Sequence, residues 1–306
     1  MTSPAPVEAR ITVVPAPDLG EDVFTHKYPL KGQEGVRSVF GGFLVGQAVS
    51  AANATVGSGF EAHASQSSFI RPAKADVQHN VTYWVERTAD SRTFATRLVH
   101  GRQGGELVYI ATISFRNTSI PAGPILQYQV SPPVVDVTPD DIPRQQVDRF
   151  NASIIDKSVP LLQVQSDEMP FDWRFVGLEM SDKATDVRLR TFVRSPPLSS
   201  REPSVHLAAL AYLSDEFSFG IAVAANPRAV GQGMRNVALA TSLTHTVSFH
   251  DSEFKADDWL IVERETSWGD EGRVLVYQRM WNVETGKLIM SGIQEALVRL
   301  KEVNRL

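Results

Sequence analysis

SFIRPAKAD, at residues 68–76, is echoed in the second half of the chain by SFHDSEFKAD, at residues 248–257. The echo continues downstream, where VERT at residues 85–88 is matched by VERE at residues 262–265. The two pairs are separated by 180 and 177 residues, counted from Phe69 to Phe249 and from Val85 to Val262. A nearly constant spacing is typical of one domain that has been copied and fused, so the repeat predicts two similar units.

Each half contains an apolar stretch that is too long for a typical strand. Residues 41–54 and residues 206–217 contain no proline and are rich in alanine and other small residues, which predicts a helix in each. Runs of β-type residues follow both helices. The predicted strands are 67–71, 77–87, 92–101 and 107–116 in the first half, and 245–249, 259–266, 273–283 and 287–300 in the second.

An apolar helix followed by an antiparallel sheet, twice over, predicts an α+β fold. In each unit the curled sheet wraps around the helix. Hairpin turns at Gly104-Gly105 and Thr285-Gly286 fall at matching places in the two halves. We expect the two sheets to join edge to edge, because this pairing covers an exposed strand edge in each unit.

A proline-rich stretch divides the two units. Six prolines lie within residues 121–143, and proline at this density excludes a central strand or the interior of a helix. The chain is therefore predicted to consist of an N-terminal unit at residues 1–120, a linker at residues 121–150 and a C-terminal unit at residues 151–306.

Composition restricts the classes of partner. The chain of 306 residues is 42% hydrophobic and 21% charged, which is typical of globular protein and long enough for two cores. A formal charge of −5 provides no bulk attraction for nucleic acid. The absence of cysteine excludes thiol nucleophiles, disulfides and thiolate metal sites.

Location signals are sparse. Residues 1–20 contain four prolines and no long apolar run, so we expect no signal peptide, and no stretch reaches the 18 apolar residues of a membrane span. The last residues, Asn304-Arg305-Leu306, keep the basic and leucine positions of a peroxisomal Ser-Lys-Leu address but not its small first residue. The predicted location is cytoplasmic or peroxisomal.

Other catalytic motifs are missing. The sequence has no Gly-x-Ser-x-Gly and no phosphate-binding loop that ends in Lys-Ser or Lys-Thr. His245 and His250 are five residues apart on one predicted strand, so they are expected to point to opposite faces. We therefore predict no metal site and no cofactor.

An ordered set of motifs resembles the type II acyl-CoA thioesterases. The residues that carry the resemblance run from about residue 35 to the end of the chain, and the set is specific although each motif alone is not. They are Val39-Phe40-Gly41-Gly42, Gly46-Gln47-Ala48, Phe69-Ile70-Arg71-Pro72, Ala211-Tyr212-Leu213-Ser214-Asp215, Thr241-Ser242-Leu243-Thr244-His245, Phe249-His250, Asp257-Asp258-Trp259-Leu260 and Gln294-Glu295.

The resemblance implies a double hotdog fold and an enzyme that hydrolyses acyl-CoA thioesters to a free acid and CoA. The family's catalytic Asp, Ser or Thr, and Gln correspond to Asp215, Ser242 and Gln294. Their chemistry fits this role. A carboxylate shielded from water has a raised pKa and is a better base near neutral pH. A hydroxyl and an amide both donate and accept hydrogen bonds, so they can orient a water molecule.

The repeat also acts as an internal control. Ser242 corresponds to Ala62, Asp215 roughly to Gln47, and Gln294 to Ile113 or Ser114. The first half therefore lacks the carboxylate and the hydroxyl, which predicts a single site built chiefly by the second half.

Two positions depart from the family pattern, and three basic residues are candidates for CoA. Thr244 stands where an Asp usually precedes the His, and Gln66 where a His usually precedes the Phe-Leu-Arg-Pro strand. Because CoA carries several phosphates, basic side chains are expected at its entrance. The candidates are Arg71, Arg116 and Lys255.

Alternative functions remain open at this stage. The chain is expected to act as an acyl-CoA thioesterase of fatty acid or lipid metabolism, or as a specialised member of the family in a biosynthetic pathway. A hydratase or dehydratase on the same fold and a non-catalytic acyl-CoA binder are the alternatives. Association into a homo-oligomer of double-hotdog chains is also expected.

Overall fold

A computed structural model describes residues 4–30, 38–75, 78–121, 123–144, 169–231 and 235–302. The predicted C-terminal signal at residues 304–306 lies outside the described residues.

The first half is a short helix, a long helix and six strands. The long helix begins and ends within one residue of the predicted range. The elements are α1 (Pro6–Ile11), β1 (Val13–Pro15), β2 (Val23–His26), α2 (Gly41–Asn53), β3 (Phe60–Phe69), β4 (Val81–Asp90), β5 (Phe94–Gln103) and β6 (Glu106–Asn117).

The described part of the second half also has six strands and one long helix, but its two short helices follow the long one. Its elements are β7 (Asp172–Glu179), β8 (Arg188–Arg194), α3 (Pro203–Asp215), α4 (Gly220–Ala224), α5 (Pro227–Val230), β9 (Val237–Phe249), β10 (Leu260–Asp270), β11 (Arg273–Asn282) and β12 (Leu288–Leu300).

All twelve strands belong to one antiparallel sheet. Their order is β1-β2-β4-β5-β6-β3-β9-β12-β11-β10-β8-β7, so the two halves meet where β3 pairs with β9. Gln66 lies opposite Thr246 at the centre of this pairing. The expectation of two helix-and-sheet units joined edge to edge is therefore confirmed.

Matching β-bulges give the residue-by-residue correspondence of the two halves. The β3–β6 register shifts between Ala62 and Ala64, and the β9–β12 register shifts so that Leu243 is left unpaired. A bulge is a fixed feature of a strand, so His63 and Leu243 are equivalent. Ser242 therefore corresponds to Ala62, as the spacing of 180 residues predicts.

The second echo of the sequence is out of register by two residues. A bulge follows Arg87 in the β4–β5 pair, and the same bulge follows Thr266 in the β10–β11 pair. The counterpart of Arg87 is thus Thr266, and the counterpart of Arg264 is Val85. The interpretation that VERT and VERE are equivalent is wrong, although a shift of two residues keeps each side chain on the same face.

Sequence analysis missed several elements and strand ends. Neither α1, β1 and β2 before residue 41 nor β7 and β8 before α3 was predicted. β9 begins eight residues earlier than expected, since its first part is held by pairing with β12. Helix α3 begins at Pro203 and ends at Asp215, and Phe217 follows it with a φ of 56°.

The linker region packs against the sheet of the second unit. In its described part, residues 121 and 123–144, the only regular element is a 3-10 turn at Pro139–Asp141. Gln129 Oε1 accepts a hydrogen bond from the backbone N–H of Leu288, and Gln129 Nε2 donates one to the carbonyl oxygen of Gly286. Trp281 Nε1 donates to the carbonyl of Val130 at 2.9 Å, so this stretch lies along β11 and β12.

The two long helices pack against each other in the core, and glycines allow their close approach. A Cβ atom at Gly46 would lie 3.1 Å from the carbonyl oxygen of Ala208, and one at Gly42 would lie 2.8 Å from that of Tyr212. The segment Pro203–Ala224 is the one described stretch long and apolar enough to cross a membrane, and 83% of its apolar window is buried inside the protein. It is therefore the core helical segment of the second unit.

The substitution Gly42→Ala tests this close approach. Alanine favours a helix over glycine by about 1 kcal/mol, whereas overpacking a core costs about 1–3 kcal/mol. The added methyl group would lie 2.3 Å from Phe40 Cε1 as well as against the backbone of Tyr212. We expect net destabilisation of about 1–2 kcal/mol in urea unfolding, from the balance of these two effects.

Gly57→Ala is the matched control, because a Cβ atom there meets nothing within 4 Å. Its unfolding free energy is expected to stay within about 0.5 kcal/mol of the parent value. Equal stability of the two variants would show that helix packing at Gly42 is looser than described.

Candidate active site

Three polar side chains from three elements meet at the end of α3. Asp215 is the last residue of α3 and is only 4% exposed. Gln294 Nε2, from β12, donates to Asp215 Oδ1 at 2.7 Å and to Ser242 Oγ at 2.6 Å. Ser242 Oγ, from β9, lies 3.5 Å from the same carboxylate oxygen. The three residues predicted from the sequence therefore form one cluster.

The bulge in β9 brings Ser242 into this cluster. Gln294 lies opposite His245, and both side chains are buried on the helix side of the sheet. In a regular strand a residue three positions from His245 would point to the other face. The extra residue Leu243 reverses this alternation, so Ser242 lies opposite Ala296 and next to Gln294.

Burial and hydrogen bonding act in opposite directions on the Asp215 carboxylate. Burial raises its pKa, while hydrogen bonds from Gln294, Ser242 and the backbone N–H of Gly42 lower it, as does the positive charge of Arg264. The balance is a pKa of about 6. Asp215 is thus ionised at neutral pH and able to accept a proton with little excess driving force.

The first half of the chain contributes the N-terminus of α2. The backbone N–H of Gly42 donates to the Asp215 carboxylate. A Cβ atom at Gly41 would lie 2.7 Å from Asp215 Oδ2 and 2.7 Å from the ring of Phe69. Glycine is required at this position because any side chain would displace the carboxylate.

The histidine in the cluster does not bond to Asp215. His245 Nε2 lies 3.2 Å from Ser214 Oγ, and burial lowers the His245 pKa to about 4, so the ring is neutral near pH 7. His250 follows the end of β9 and contacts Ser291 Oγ at 2.7 Å. No group of three His, Cys, Asp or Glu side chains suited to a metal ion occurs among the described residues.

The three basic residues predicted for CoA do not form one cluster. Arg71 follows β3 close to Phe69, is 62% exposed and pairs with Glu106 at 3.0 Å. Arg116 is exposed on β6 beside Phe115, the residue opposite Ala62. Lys255 is exposed, and the backbone N–H of the next residue, Ala256, donates a hydrogen bond to His206 near the start of α3. His206 lies about 14 Å along the helix from Asp215, so Lys255 is far from the cluster.

Both departures from the family pattern face away from the cluster. Gln66 and Thr244 are exposed, whereas their neighbours Ser67 and His245 are buried on the helix side. Alternation along the strands therefore puts Gln66 and Thr244 on the outer face of the sheet.

The equivalent positions in the first half carry no such cluster. Ser242 is replaced by Ala62 and Gln294 by Ile113, which settles the choice between Ile113 and Ser114. Both long helices have 13 residues, so matching their ends puts Asn53, rather than Gln47, at the position of Asp215. Gln47 instead accepts a hydrogen bond from Tyr83 and donates to the carbonyl of Arg10.

A cavity of about 280 Å³ lies at this equivalent place, between the end of α2 and the start of α3. Helix α1 borders it. Glu8 of α1 accepts hydrogen bonds from the backbone N–H of Ser199 at 2.9 Å and from its hydroxyl at 2.6 Å. Helix α1 thus packs where the end of α2 meets the start of α3, which is the second of the two junctions between the long helices. The first junction, where the end of α3 meets the start of α2, holds Asp215.

Three buried polar residues behind Asp215 were missed by sequence reasoning. They are Glu216, Arg264 and Gln278. The misaligned VERT–VERE echo hid Arg264, since it matched this residue with another arginine rather than with Val85.

Comparison with known proteins gives consistent matches. Residues 32–116 match the family model of the acyl-CoA thioesterase N-terminal domain, and residues 139–298 match that of the C-terminal domain. Human acyl-coenzyme A thioesterase 8 is 27% identical over 300 residues, covering 95% of this chain and 88% of the human protein. Acyl-CoA thioesterase 2 of Haemophilus influenzae is 26% identical over 273 residues, covering 88% and 90%.

Solved structures share the fold at low identity. Acyl-CoA thioesterase II TesB2 of Mycobacterium marinum superposes with a TM-score of 0.73 at 23% identity, over 97% of this chain and 99% of the other. A hot dog fold protein of Alicyclobacillus acidocaldarius gives 0.71 at 19% identity, again over 97% and 99%.

Asp215→Asn tests the raised pKa through stability. Between the unfolded value near 3.8 and the folded value of about 6 the folded protein binds more protons, so the free energy of unfolding falls as pH rises through this window. Two pKa units correspond to about 3 kcal/mol. Above pH 7 the variant is expected to be more stable than the parent by about 1–3 kcal/mol, and near pH 4 equally stable.

Urea unfolding at pH 4 and pH 8 measures this difference. Asp186→Asn, at an exposed position, is the control and should leave the pH dependence unchanged. The difference in unfolding free energy between parent and Asp215→Asn should change between pH 4 and pH 8 in favour of the variant. An unchanged difference would refute the raised pKa.

Proposed function

The chain belongs to the acyl-CoA thioesterase family, and we propose that it hydrolyses an acyl-CoA thioester through a water molecule activated by Asp215, Ser242 and Gln294. The products are a free carboxylic acid and CoA. One observation carries the proposal, namely that a buried carboxylate with a pKa of about 6 is hydrogen-bonded to an amide and adjoins a hydroxyl.

The reaction needs a base but no covalent intermediate. Asp215 removes a proton from water as the water oxygen attacks the thioester carbonyl carbon, giving a tetrahedral oxyanion. The oxyanion collapses, the C–S bond breaks, and the leaving CoA thiolate takes up the proton that Asp215 accepted from the water, which regenerates the carboxylate. General-base help of this kind is worth about 10²–10⁴-fold, and orientation of the water adds to it.

Ser242 and Gln294 prepare the carboxylate and the water. Gln294 Nε2 binds Asp215 Oδ1, which leaves Oδ2 to accept the proton of the water. Gln294 Oε1 has no hydrogen-bond partner among the described residues, so it offers an acceptor for the second water proton.

The first turn of α2 is the proposed source of oxyanion stabilisation. The N-terminus of a helix carries unpaired N–H groups and a partial positive charge. Gly41 and Gly42 bring these groups to the Asp215 carboxylate without an intervening side chain. Preorganised donors of this type are among the largest contributions to acyl-transfer catalysis.

Arg71 is the residue we propose for the CoA phosphates. Phe69, two positions before it, adjoins Gly41 at the site, and the exposed pair of Arg71 with Glu106 is worth at most about 1 kcal/mol. Arg116 and Lys255 remain predictions from charge alone. The same holds for association into homo-oligomers, for a role in fatty acid or lipid metabolism, and for the cytoplasmic or peroxisomal location.

The hydratase alternative is weaker. An Asp–His pair would be needed, and the buried His245 ring contacts Ser214 rather than Asp215. Measuring enoyl absorbance beside thiol release separates this activity from hydrolysis, and tight binding of acyl-CoA without turnover would identify a non-catalytic binder.

Asp215→Asn is expected to lower kcat by about 10²–10⁴-fold with little change in KM, because the base is lost while the shape of the site is kept. Release of free CoA from a panel of short to long acyl-CoAs is the measurement. Gln66→Ala, on the outer face of the same sheet, is the control and should retain parent activity. Full turnover by Asp215→Asn would rule out the proposed mechanism.

The rate is also expected to depend on pH. Protonated Asp215 cannot act as a base, so kcat/KM should rise with pH and reach half its maximum near pH 6. Gln294→Leu removes a donor that lowers the pKa of Asp215, so its residual activity should rise only at higher pH. A parent profile that is flat from pH 5 to 8 would contradict Asp215 as the base.

A further inference from the structure

A second polar layer lies behind Asp215, on the side away from Ser242 and Gln294. Arg264 is 0% exposed, and Gln278 and Glu216 are also buried. Arg264 on β10 and Gln278 on β11 face each other across the strand pair, with Arg264 Nε 3.3 Å from Gln278 Oε1.

This layer holds the main chain on both sides of Asp215. Gln278 Nε2 donates to the carbonyl oxygen of Ser214, the residue before Asp215. Arg264 Nη2 donates to the carbonyl oxygen of Glu216, the residue after it, at 2.9 Å. Carbonyl groups at the end of a helix lack partners within the helix, and these two strand side chains supply them.

Charge reinforces the arrangement. The Arg264 guanidinium lies 5.3 Å from the centre of the Trp173 ring, and Trp173 Nε1 donates to Glu216 Oε2 at 3.1 Å. Burial raises the pKa of Glu216 to about 7 and lowers that of Arg264 to about 10, so Arg264 remains positively charged at neutral pH. Its charge favours the ionised form of both neighbouring carboxyl groups.

Other groups that face these carboxyls come from α3 itself and from two further elements, β6 and α1. Burial raises the pKa of Tyr109 of β6 and that of Tyr212 of α3 well above the ordinary tyrosine value, so both are neutral. Arg10 of α1 donates to the Tyr212 hydroxyl at 2.6 Å and also lowers the pKa of Glu216. Arg264 is the cation whose charge lowers the pKa of Asp215.

The strand positions of the first half that are equivalent to Arg264 and Gln278 carry no polar residues. Val85 and Val99 form the strand pair equivalent to Arg264 and Gln278. Ala54, at the end of α2, matches Glu216. The same positions are therefore filled by apolar residues in the half that lacks the Asp215 cluster. Buried ionic groups are weak stabilisers compared with apolar residues, so stability alone does not account for them.

We propose that Arg264 and Gln278 are positioning residues for the thioesterase reaction, which fix the main chain on either side of Asp215, and that the Arg264 charge keeps Asp215 ionised. The inference rests on the proposed role of Asp215 as the base. Both residues act through Asp215 and touch neither the substrate nor the water.

Arg264→Met and Gln278→Met separate the two effects. Arg264→Met removes the charge and the hydrogen bond, so kcat should fall on the order of 10- to 100-fold with KM nearly unchanged, and the acid limb of kcat/KM should move to higher pH. Gln278→Met removes one hydrogen bond but no charge, so kcat should fall while the acid limb stays in place. Arg264→Lys should restore the position of the limb.

Arg97→Met is the matched control. Arg97 is a buried arginine of the first half, and its Nη2 donates to the carbonyl of Thr55, just after α2, at 3.1 Å. The control variant should lose stability as Arg264→Met does, but its kcat and pH profile per folded molecule should be those of the parent.

The pKa of Asp215, read by ¹³C NMR of labelled aspartate carboxyls, gives a readout independent of turnover. It should rise in Arg264→Met and stay constant in Gln278→Met and Arg97→Met. An unchanged pKa and acid limb in Arg264→Met, or an equal change in Arg97→Met, would overturn the proposal. If Arg264→Met does not fold, an undiminished kcat in Gln278→Met overturns the positioning role. Full activity of Asp215→Asn would instead refute the proposed role of Asp215 as the base, on which this inference rests.

Discussion

The close antiparallel packing of α2 against α3 is the constraint on which the rest of the structure depends. It sets the C-terminus of each helix beside the N-terminus of the other, and glycines at positions 41, 42 and 46 leave room for this contact. A carboxylate at the C-terminus of its own helix meets a partial negative charge, which disfavours ionisation. At Asp215 the N-terminus of α2 opposes this effect, because it brings the N–H of Gly42 to the carboxylate.

The two junctions of these helices hold carboxylates whose pKa values are shifted in opposite directions. Burial raises the pKa of Glu8, but the hydrogen bonds from Ser199 and its neighbours outweigh this effect and lower the pKa below its ordinary value. For Asp215 burial outweighs the donors, and the pKa rises to about 6. Glu8 is therefore firmly ionised and suited to anchoring α1. Asp215 lies near the point where it exchanges a proton easily, which is the requirement for a base.

The sequence allowed the repeat, the two long helices with the four strands that follow each of them, and the three residues of the candidate site to be predicted. Alternation, helix length and motif spacing are local patterns, and Ser242 could be matched to Ala62 because both lie at the same distance from the shared Ser-Phe pair. The β-bulges at His63 and Leu243 carry no local sequence signal, so the reason that Ser242 faces inward was not accessible. The polar layer around Arg264 was missed for a related reason, since only the strand register shows that its counterpart is Val85. The basic residues for CoA were chosen by charge alone, and charge does not determine where a side chain lies in the fold.

Polar side chains lower stability when they are buried in the core that the two halves share. This cost accounts for the absence of the polar cluster from the first half. A buried carboxylate with a raised pKa lowers stability at neutral pH, and Arg264, whose charge favours its ionised form, is buried as well. Two complete sites would impose this cost twice on one continuous core. In the first half Ala62, Ile113, Val85 and Val99 replace the polar set with apolar contacts. Helix α1 covers the junction that remains, and its Arg10 reaches from there to Tyr212 on α3. The half without a cluster is thus the apolar support that allows the other half to carry a buried, ionisable one.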